Sequence, residues 1–173
     1  MPTYSAPLTD MQFLLSDVFK AEELFAAMPD TEEVTEDLIA PILEAAAKMA
    51  AGLLSPLNQS GDQEGCHFDA GVVTTPKGFV EAFRAYAEGG WPGLTGDVDY
   101  GGQGMPTVLS ALLEEMAFAA NSSFALYAML TTGVTHSLSR LGSTELKEKY
   151  LPKMYDGTWS GSMCLTEAHA GTD

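Results

Sequence analysis

The residues with the clearest chemical potential lie at positions 163–173, where the sequence reads MCLTEAHAGTD. Apolar and polar residues alternate just before and into this segment, which predicts a strand over residues 158–166. A strand that runs into a small polar turn presents free backbone amides and the hydroxyls of Thr166 and Thr172. Such groups can bind the polar edge of a planar heterocycle or a phosphate. On composition alone, an ordinary strand-to-turn transition is the simpler interpretation.

The three histidines indicate no comparable site. His67 follows Cys66, but no further ligand stands at the spacing that a metal site requires. His136 falls on a predicted helix, where a polar role at a helix interface is the simpler interpretation. His169 and Asp173 with a serine would suggest a hydrolase triad, but the nucleophile-elbow pattern G-x-S-x-G is absent. We therefore predict no metal site and no hydrolase.

The overall charge argues against polyanionic partners, namely nucleic acid and anionic membrane surfaces. The chain has 173 residues with 8 Lys+Arg and 24 Asp+Glu, a formal net charge of −16. Binding to nucleic acid or to an anionic membrane surface requires clusters of basic residues that this composition does not provide. Cys66 and Cys164 lie far apart, which favours reduced thiols. With no signal peptide and no apolar run near the roughly 18 residues of a transmembrane helix, we predict a cytoplasmic protein without a membrane partner.

Helices are expected to position the 163–173 segment. Apolar residues at helical spacing predict five or six helices. Their approximate ranges are 9 to the break at 29–30, 31–54, 75–89, 107–120, 124–141 and 143–155. Residues 58–74 predict a surface connection with an extended piece at 72–73. Residues 89–106 contain seven glycines and two prolines among eighteen residues, and their Trp91, Leu94 and Tyr100 favour an ordered, functional loop.

The order of these elements predicts a mainly α fold in which a helical domain precedes the first strand of a β domain. A single strand has no partner for its backbone groups, so we expect the rest of that β domain to be absent from the chain. The predicted domains are an N-terminal extension helix at 1–30, a helical domain at 31–157 and the start of a β domain at 158–173.

Three motifs resemble the acyl-CoA dehydrogenase family, and the resemblance spans essentially the whole chain. Residues 163–173 resemble its flavin-contacting motif, with Met163 where many members have an aromatic residue and Ala168 in place of a proline that would fix the turn. GSTELKEKYLP at 142–152 and YGGQG at 100–104 resemble the segment before that motif and the family's glycine-rich loop. The N-terminal PTYSAPLTDMQFLL is similar to the subgroup that includes 3-methylmercaptopropionyl-CoA dehydrogenases.

The resemblance implies a helical N-terminal domain of an FAD enzyme that carries out α,β-dehydrogenation of an acyl-CoA thioester. In such an enzyme a carboxylate removes the α proton, the β hydride passes to the flavin, and electron-transferring flavoprotein reoxidises the flavin. The resemblance also implies a homo-oligomer. The residues that it places at the flavin are Met163, Leu165, Thr166, Gly171 and Thr172, and it places Thr172 near the CoA moiety too.

The resemblance assigns no catalytic residue to this chain, because the family's catalytic Glu belongs to a later helical domain. The chain alone is therefore expected to be inactive. Two alternatives remain open at this stage. One is a helical interaction module without redox activity, and the other is a different oxidase on the same fold, since a fold does not fix chemistry.

Overall fold

The computed structural model describes residues 3–171 and is mainly α-helical, as predicted. Its elements are α1 (Leu8–Phe13), α2 (Ala21–Ala26), α3 (Glu36–Met49), α4 (Ser55–Glu64), β1 (His67–Asp69), β2 (Val72–Thr74), α5 (Phe79–Glu88), α6 (Thr107–Ala120), α7 (Ser122–Leu141) and α8 (Thr144–Tyr155). Two π-helical turns, Leu14–Val18 and Ala50–Leu54, extend α1 and join α3 to α4. Two 3₁₀ turns, Trp91–Gly93 and Val98–Tyr100, lie in residues 89–106, which we call the glycine-rich loop.

The N-terminal extension consists of two short helical pieces rather than one helix. The chain breaks after Val18 because Lys20 adopts the left-handed conformation, with φ of 50°. Polar contacts then fix the extension to the start of α3. The Ser16 hydroxyl donates to the Glu36 carboxylate at 2.8 Å, and the Glu36 backbone N–H donates to Glu22 at 2.9 Å.

The second predicted helix is longer than its sequence pattern indicated. It was predicted to end at residues 55–56, but α3 and α4 form one continuous helix, Glu36–Glu64. Pro56 cannot donate an i→i−4 hydrogen bond, and it follows directly on the π-helical turn, where the backbone bonding is already shifted. The helix therefore continues through Pro56, as it also continues through Pro41 within α3.

The helix Glu36–Glu64 is also the one described helix that is long and apolar enough to span a membrane by length and composition, with a mean hydropathy of 1.5. Core helices of globular proteins pass the same test. Its buried residues recur every three or four positions and belong to the hydrophobic core: Ile39, Leu43, Ala46, Ala50 and Leu54. That stripe packs against α6.

Residues 58–74 differ in part from the predicted surface connection. The first of them lie in α4, and the extended piece predicted at 72–73 is confirmed as β2, which pairs antiparallel with β1. Ala70 and Gly71, with φ of 47° and 84°, form the two-residue turn between the strands. Both strands are exposed, so the hairpin lies on the surface.

An aromatic cluster joins α5 to α7 in the core. Its ring centroids lie 5.2–6.3 Å apart, within the range of favourable edge and offset packing. The members are Phe79, Phe83, Tyr86, Phe124 and Tyr127. This cluster holds α7 in the position from which it contacts the segment after α8.

Candidate functional site

Residues 158–166 form no strand, so that prediction was wrong. Within residues 3–171, only β1 and β2 pair with each other as strands, and neither pairs with this segment. Alternation of apolar and polar residues produces a strand only where a neighbouring strand supplies hydrogen bonds. The segment is instead irregular, and its beginning is held by helices.

The C-terminal end of α8 fixes the start of the segment. The backbone N–H of Thr158 donates to the Asp156 carboxylate at 2.7 Å, and that of Trp159 donates to the Lys153 carbonyl at 2.8 Å. The Lys153 Nζ lies 4.1 Å from the centroid of the Trp159 ring, a cation–π contact. These contacts turn the chain sharply after Tyr155.

Helix α7 holds the next two residues. The Tyr127 hydroxyl donates to the Ser160 hydroxyl at 2.9 Å, and the Gly161 backbone N–H donates to the Thr131 hydroxyl at 3.0 Å. After Gly161 the chain leaves the helical body. Residues 158–161 thus form an anchored stretch, which we call the anchor.

The sequence-predicted flavin-contact residues follow the anchor and are exposed. Met163 is 65% exposed and Leu165 is 58% exposed, and Thr166 and Gly171 also lie at the surface. The backbone groups of residues 162–166 make no backbone hydrogen bond within the described chain. Thr172, the remaining predicted contact, lies outside the described residues. The described candidates therefore share one exposed segment whose residues 162–166 make no backbone hydrogen bond within the described chain.

A tight turn follows at residues 167–170. The Glu167 N–H donates to the Ala170 carbonyl at 2.8 Å, and the Ala170 N–H donates to the Glu167 backbone carbonyl at 3.4 Å. Ala168 and His169 form the corner of this turn. The turn thus closes with alanine at the position where the family motif normally has proline.

The glycine-rich loop is ordered by hydrogen bonds between its two halves, as its aromatic residues predicted. Backbone N–H groups of the second half donate to carbonyls of the first half at 2.9–3.0 Å. The pairs, donor first, are Gly102 with Asp97, Gln103 with Gly93, Gly104 with Gly96 and Met105 with Leu94. A Cβ at Gly102 would overlap the Gly96 carbonyl group, so the two halves approach closely only because residue 102 is glycine.

Tyr155 connects this loop to the segment after α8. Its side chain lies against Gly93 and Gly96, and its hydroxyl accepts a hydrogen bond from the Asp97 N–H at 3.3 Å. Burial raises the pKa of the Tyr155 phenol above its usual value, which keeps it neutral. Because Tyr155 ends α8, the glycine-rich loop and the anchor converge on the same helix end, although Asp97 and Tyr155 lie 58 residues apart in the sequence.

The histidine and cysteine side chains are not gathered into a site in the described part of the chain. His67, His136 and His169 are all exposed, and Cys66 and Cys164 are free and exposed. Across residues 3–171, no group of three His, Cys, Asp or Glu side chains lies close enough together to hold a metal ion.

A separate cavity lies away from this segment. It is an open groove of about 430 Å³ between the N-terminal extension and α3, lined by residues within 12–40. None of the predicted flavin-contact residues and none of the glycine-rich loop contributes to it. The groove therefore plays no part in the candidate site.

Sequence reasoning missed the residues that hold the candidate segment in place. Thr131 and Tyr127 lie on a helix whose pattern predicted only packing, and Tyr155 carried no signal at all. Gly161 did carry one, because a glycine inside a predicted strand often marks a close approach of the backbone to another element. The structure places that approach against α7.

The fold and the site define a helical domain whose glycine-rich loop and anchor converge on one helix end. Residues 35–158 match the family model for the N-terminal domain of acyl-CoA dehydrogenases. The chain belongs to the acyl-CoA dehydrogenase family.

Two curated relatives match almost the entire chain. A 3-methylmercaptopropionyl-CoA dehydrogenase from Ruegeria pomeroyi is 34% identical over 171 residues, which is 99% of this chain and 29% of the relative. A butyryl-CoA dehydrogenase from Syntrophomonas wolfei is 32% identical over 173 residues, 98% of this chain and 28% of the relative. The first of these agrees with the subgroup to which the N-terminal sequence is similar. The chain spans less than a third of the length of either relative.

A solved structure supports the fold. A chain in a structure described as the electron-transferring flavoprotein of Acidaminococcus fermentans superposes with a TM-score of 0.63 at 23% identity. The match covers 81% of this chain and 34% of that chain.

Proposed function

We propose that this chain is the N-terminal part of a flavin-dependent enzyme that dehydrogenates an acyl-CoA thioester between its α and β carbons. The observation that carries the proposal is identity of 32–34% over nearly the whole chain to relatives named as acyl-CoA dehydrogenases. The relative from Ruegeria pomeroyi makes 3-methylmercaptopropionyl-CoA the first substrate to test. We propose that electron-transferring flavoprotein accepts the electrons. We also propose that the whole protein is a cytoplasmic homo-oligomer.

The residues after the anchor have the chemistry that a flavin requires. Residues 162–166 offer unpaired backbone donors and acceptors for the polar edge of a planar ring, and the Met163 side chain offers a soft apolar surface. The Thr166 hydroxyl adds a donor at the same segment. When bound, FAD would supply the acceptor for the β hydride. The role of this chain is to bind and orient one side of that group.

The chain would not supply the base that removes the α proton. That step requires a carboxylate within about 3 Å of the reacting carbon. In the described chain, Glu167 is the one carboxylate of the flavin motif, and its backbone is held in the tight turn with Ala170. We therefore propose that proton removal depends on residues of the whole protein beyond those in this chain.

This chain alone is expected to show no acyl-CoA dehydrogenase activity. The measurement mixes the purified chain with FAD, 3-methylmercaptopropionyl-CoA or butyryl-CoA, and an artificial electron acceptor. The whole protein under the same conditions is the positive control. Turnover by the isolated chain above a no-protein blank would contradict the proposal that proton removal depends on residues beyond those in this chain.

In the whole protein, Thr166→Val is expected to weaken FAD retention or slow flavin reduction by acyl-CoA. The substitution keeps the shape of the side chain but removes the hydroxyl from the flavin edge, a loss of roughly 0.5–1.5 kcal/mol or about two- to tenfold in affinity. Flavin absorbance of the purified variant and stopped-flow reduction measure the two effects.

Thr158→Val is the matched control for this experiment. Thr158 is exposed, lies in the anchor rather than the motif, and bonds to Asp156 through its backbone N–H rather than its hydroxyl. It should retain wild-type flavin content. Equal flavin content and equal reduction rates in the Thr166→Val protein and the wild type would argue against the assignment of Thr166. A whole protein purified without any flavin would instead favour an interaction module.

A further inference from the structure

We infer that Thr131 and Tyr127 of α7 are positioning residues for the flavin-contacting segment, and this inference rests on the proposed function. Neither residue belongs to the flavin motif. They act through the anchor, residues 158–161, which immediately precedes the motif in the chain.

Thr131 and Tyr127 hold the anchor at two successive residues. The Thr131 hydroxyl accepts the Gly161 N–H at 3.0 Å, and the Tyr127 hydroxyl donates to the Ser160 hydroxyl at 2.9 Å. Thr131 follows Tyr127 by four positions, so the two side chains lie on one face of α7. The last two residues of the anchor, Ser160 and Gly161, contact α7 along that face.

The absence of a side chain at residue 161 permits this close contact. A Cβ at Gly161 would lie 2.5 Å from the Val134 Cγ1 atom, closer than such atoms approach in proteins. Val134 is three residues beyond Thr131 and therefore on the same face of the helix. The backbone at Gly161 is thus pressed between a hydrogen-bond acceptor and an apolar wall.

These contacts set the position of the motif because the distance along the chain is short. Met163 follows Gly161 by two positions, so their Cα atoms lie at most about 7.6 Å apart. Residues 162–166 make no backbone hydrogen bond of their own in the described chain. The bond to Thr131 is therefore the last point at which the helical body fixes the backbone before the motif begins.

The burial of the two hydroxyls ranks their effects. Thr131 is 8% exposed and its bond to Gly161 is partly buried, so removing its hydroxyl takes away the protein partner of the Gly161 N–H at a site with limited access for water. Tyr127 is 46% exposed, so water can replace its hydroxyl at Ser160. The loss of the Thr131 hydroxyl is expected to disturb the motif more than the loss of the Tyr127 hydroxyl.

The test measures FAD binding and the visible flavin spectrum in the whole protein for four variants. Thr131→Val is expected to weaken FAD binding by roughly three- to tenfold and to shift the flavin spectrum, and Tyr127→Phe by about twofold. Thr131→Ser keeps the hydroxyl and should restore both properties. Thr132→Val makes the same chemical change one residue along α7, at a hydroxyl that makes no bond to the anchor among the described residues, and should behave as wild type.

Each outcome decides the inference. A Thr131→Val protein that binds FAD with wild-type affinity and spectrum would overturn it, as would an equal loss in the Thr132→Val protein. If Thr131→Val does not fold, unchanged affinity and spectrum in Tyr127→Phe, altered at a half-exposed residue, would overturn it instead. A wild-type protein that does not bind FAD would contradict the proposed function as well, which distinguishes the two failures.

Discussion

Gly102→Ala is expected to lower the free energy of unfolding of the chain by about 3 kcal/mol. The added Cβ would overlap the backbone carbonyl of Gly96, and backbone atoms cannot move aside as the end of a flexible side chain can. Separating the two halves of the loop would also break the bond from the Gly102 N–H to the Asp97 carbonyl, which is 2.9 Å long. Urea denaturation followed by far-ultraviolet circular dichroism measures the change.

Two other glycines separate this effect from the general cost of changing a glycine. Gly133 lies exposed in α7 with open space where a Cβ would stand, so Gly133→Ala is expected to stabilise the chain by about 0.5–1 kcal/mol. Gly101 also has open space but a φ of +89°, so Gly101→Ala should cost only about 1–2 kcal/mol of backbone strain. A Gly102→Ala protein as stable as the wild type would show that the loop halves do not approach this closely.

The sequence predicted the helices well where one local rule decided them. α6 and α7 were predicted to within about two residues because their apolar residues recur at helical spacing and polar residues separate them. The end of the second helix was wrong because Ser55 and Pro56 follow a π-helical turn, whose altered hydrogen bonding accommodates the proline. No short-range pattern in the sequence signals that turn.

The candidate site was predictable only as a set of residues. The order of the 163–173 motif, the glycine-rich loop and the segment between them identified the family, which the comparisons confirm. The predicted strand failed because pairing depends on a partner that the alternation pattern cannot reveal. The convergence of loop and anchor on Tyr155 and Gly157 depends on tertiary packing, since Gly157 lies against Ala87 and Pro92.

Asn121 joins three helices and was recognised from the sequence only as a break between two of them. Its side-chain oxygen accepts the Phe124 N–H at 3.1 Å and so caps the start of α7. Its side-chain nitrogen donates to the Leu54 carbonyl at 3.2 Å, at the π-helical turn within the helix Glu36–Glu64. Asn121 is 1% exposed, so water cannot replace either bond.

Asn121→Ala is expected to lower the free energy of unfolding by about 3 kcal/mol. Loss of the helix cap costs about 1 kcal/mol, and the buried Leu54 carbonyl left without its donor costs about 1–3 kcal/mol more. Thermal and urea denaturation measure the loss. Because the two bonds use different atoms of one side chain, a second substitution can separate their contributions.

Asn121→Ser provides that separation. Serine keeps an oxygen that can cap α7 but is too short to reach Leu54. Asn121→Ser should therefore lose only the stability that the bond to the Leu54 carbonyl contributes, roughly 1 kcal/mol less than Asn121→Ala loses. Equal losses for serine and alanine would mean that the cap contributes nothing and that the bond to Leu54 accounts for the whole effect. A loss below 1 kcal/mol for alanine would contradict both contributions, because neither bond could then be buried and intact in the folded chain.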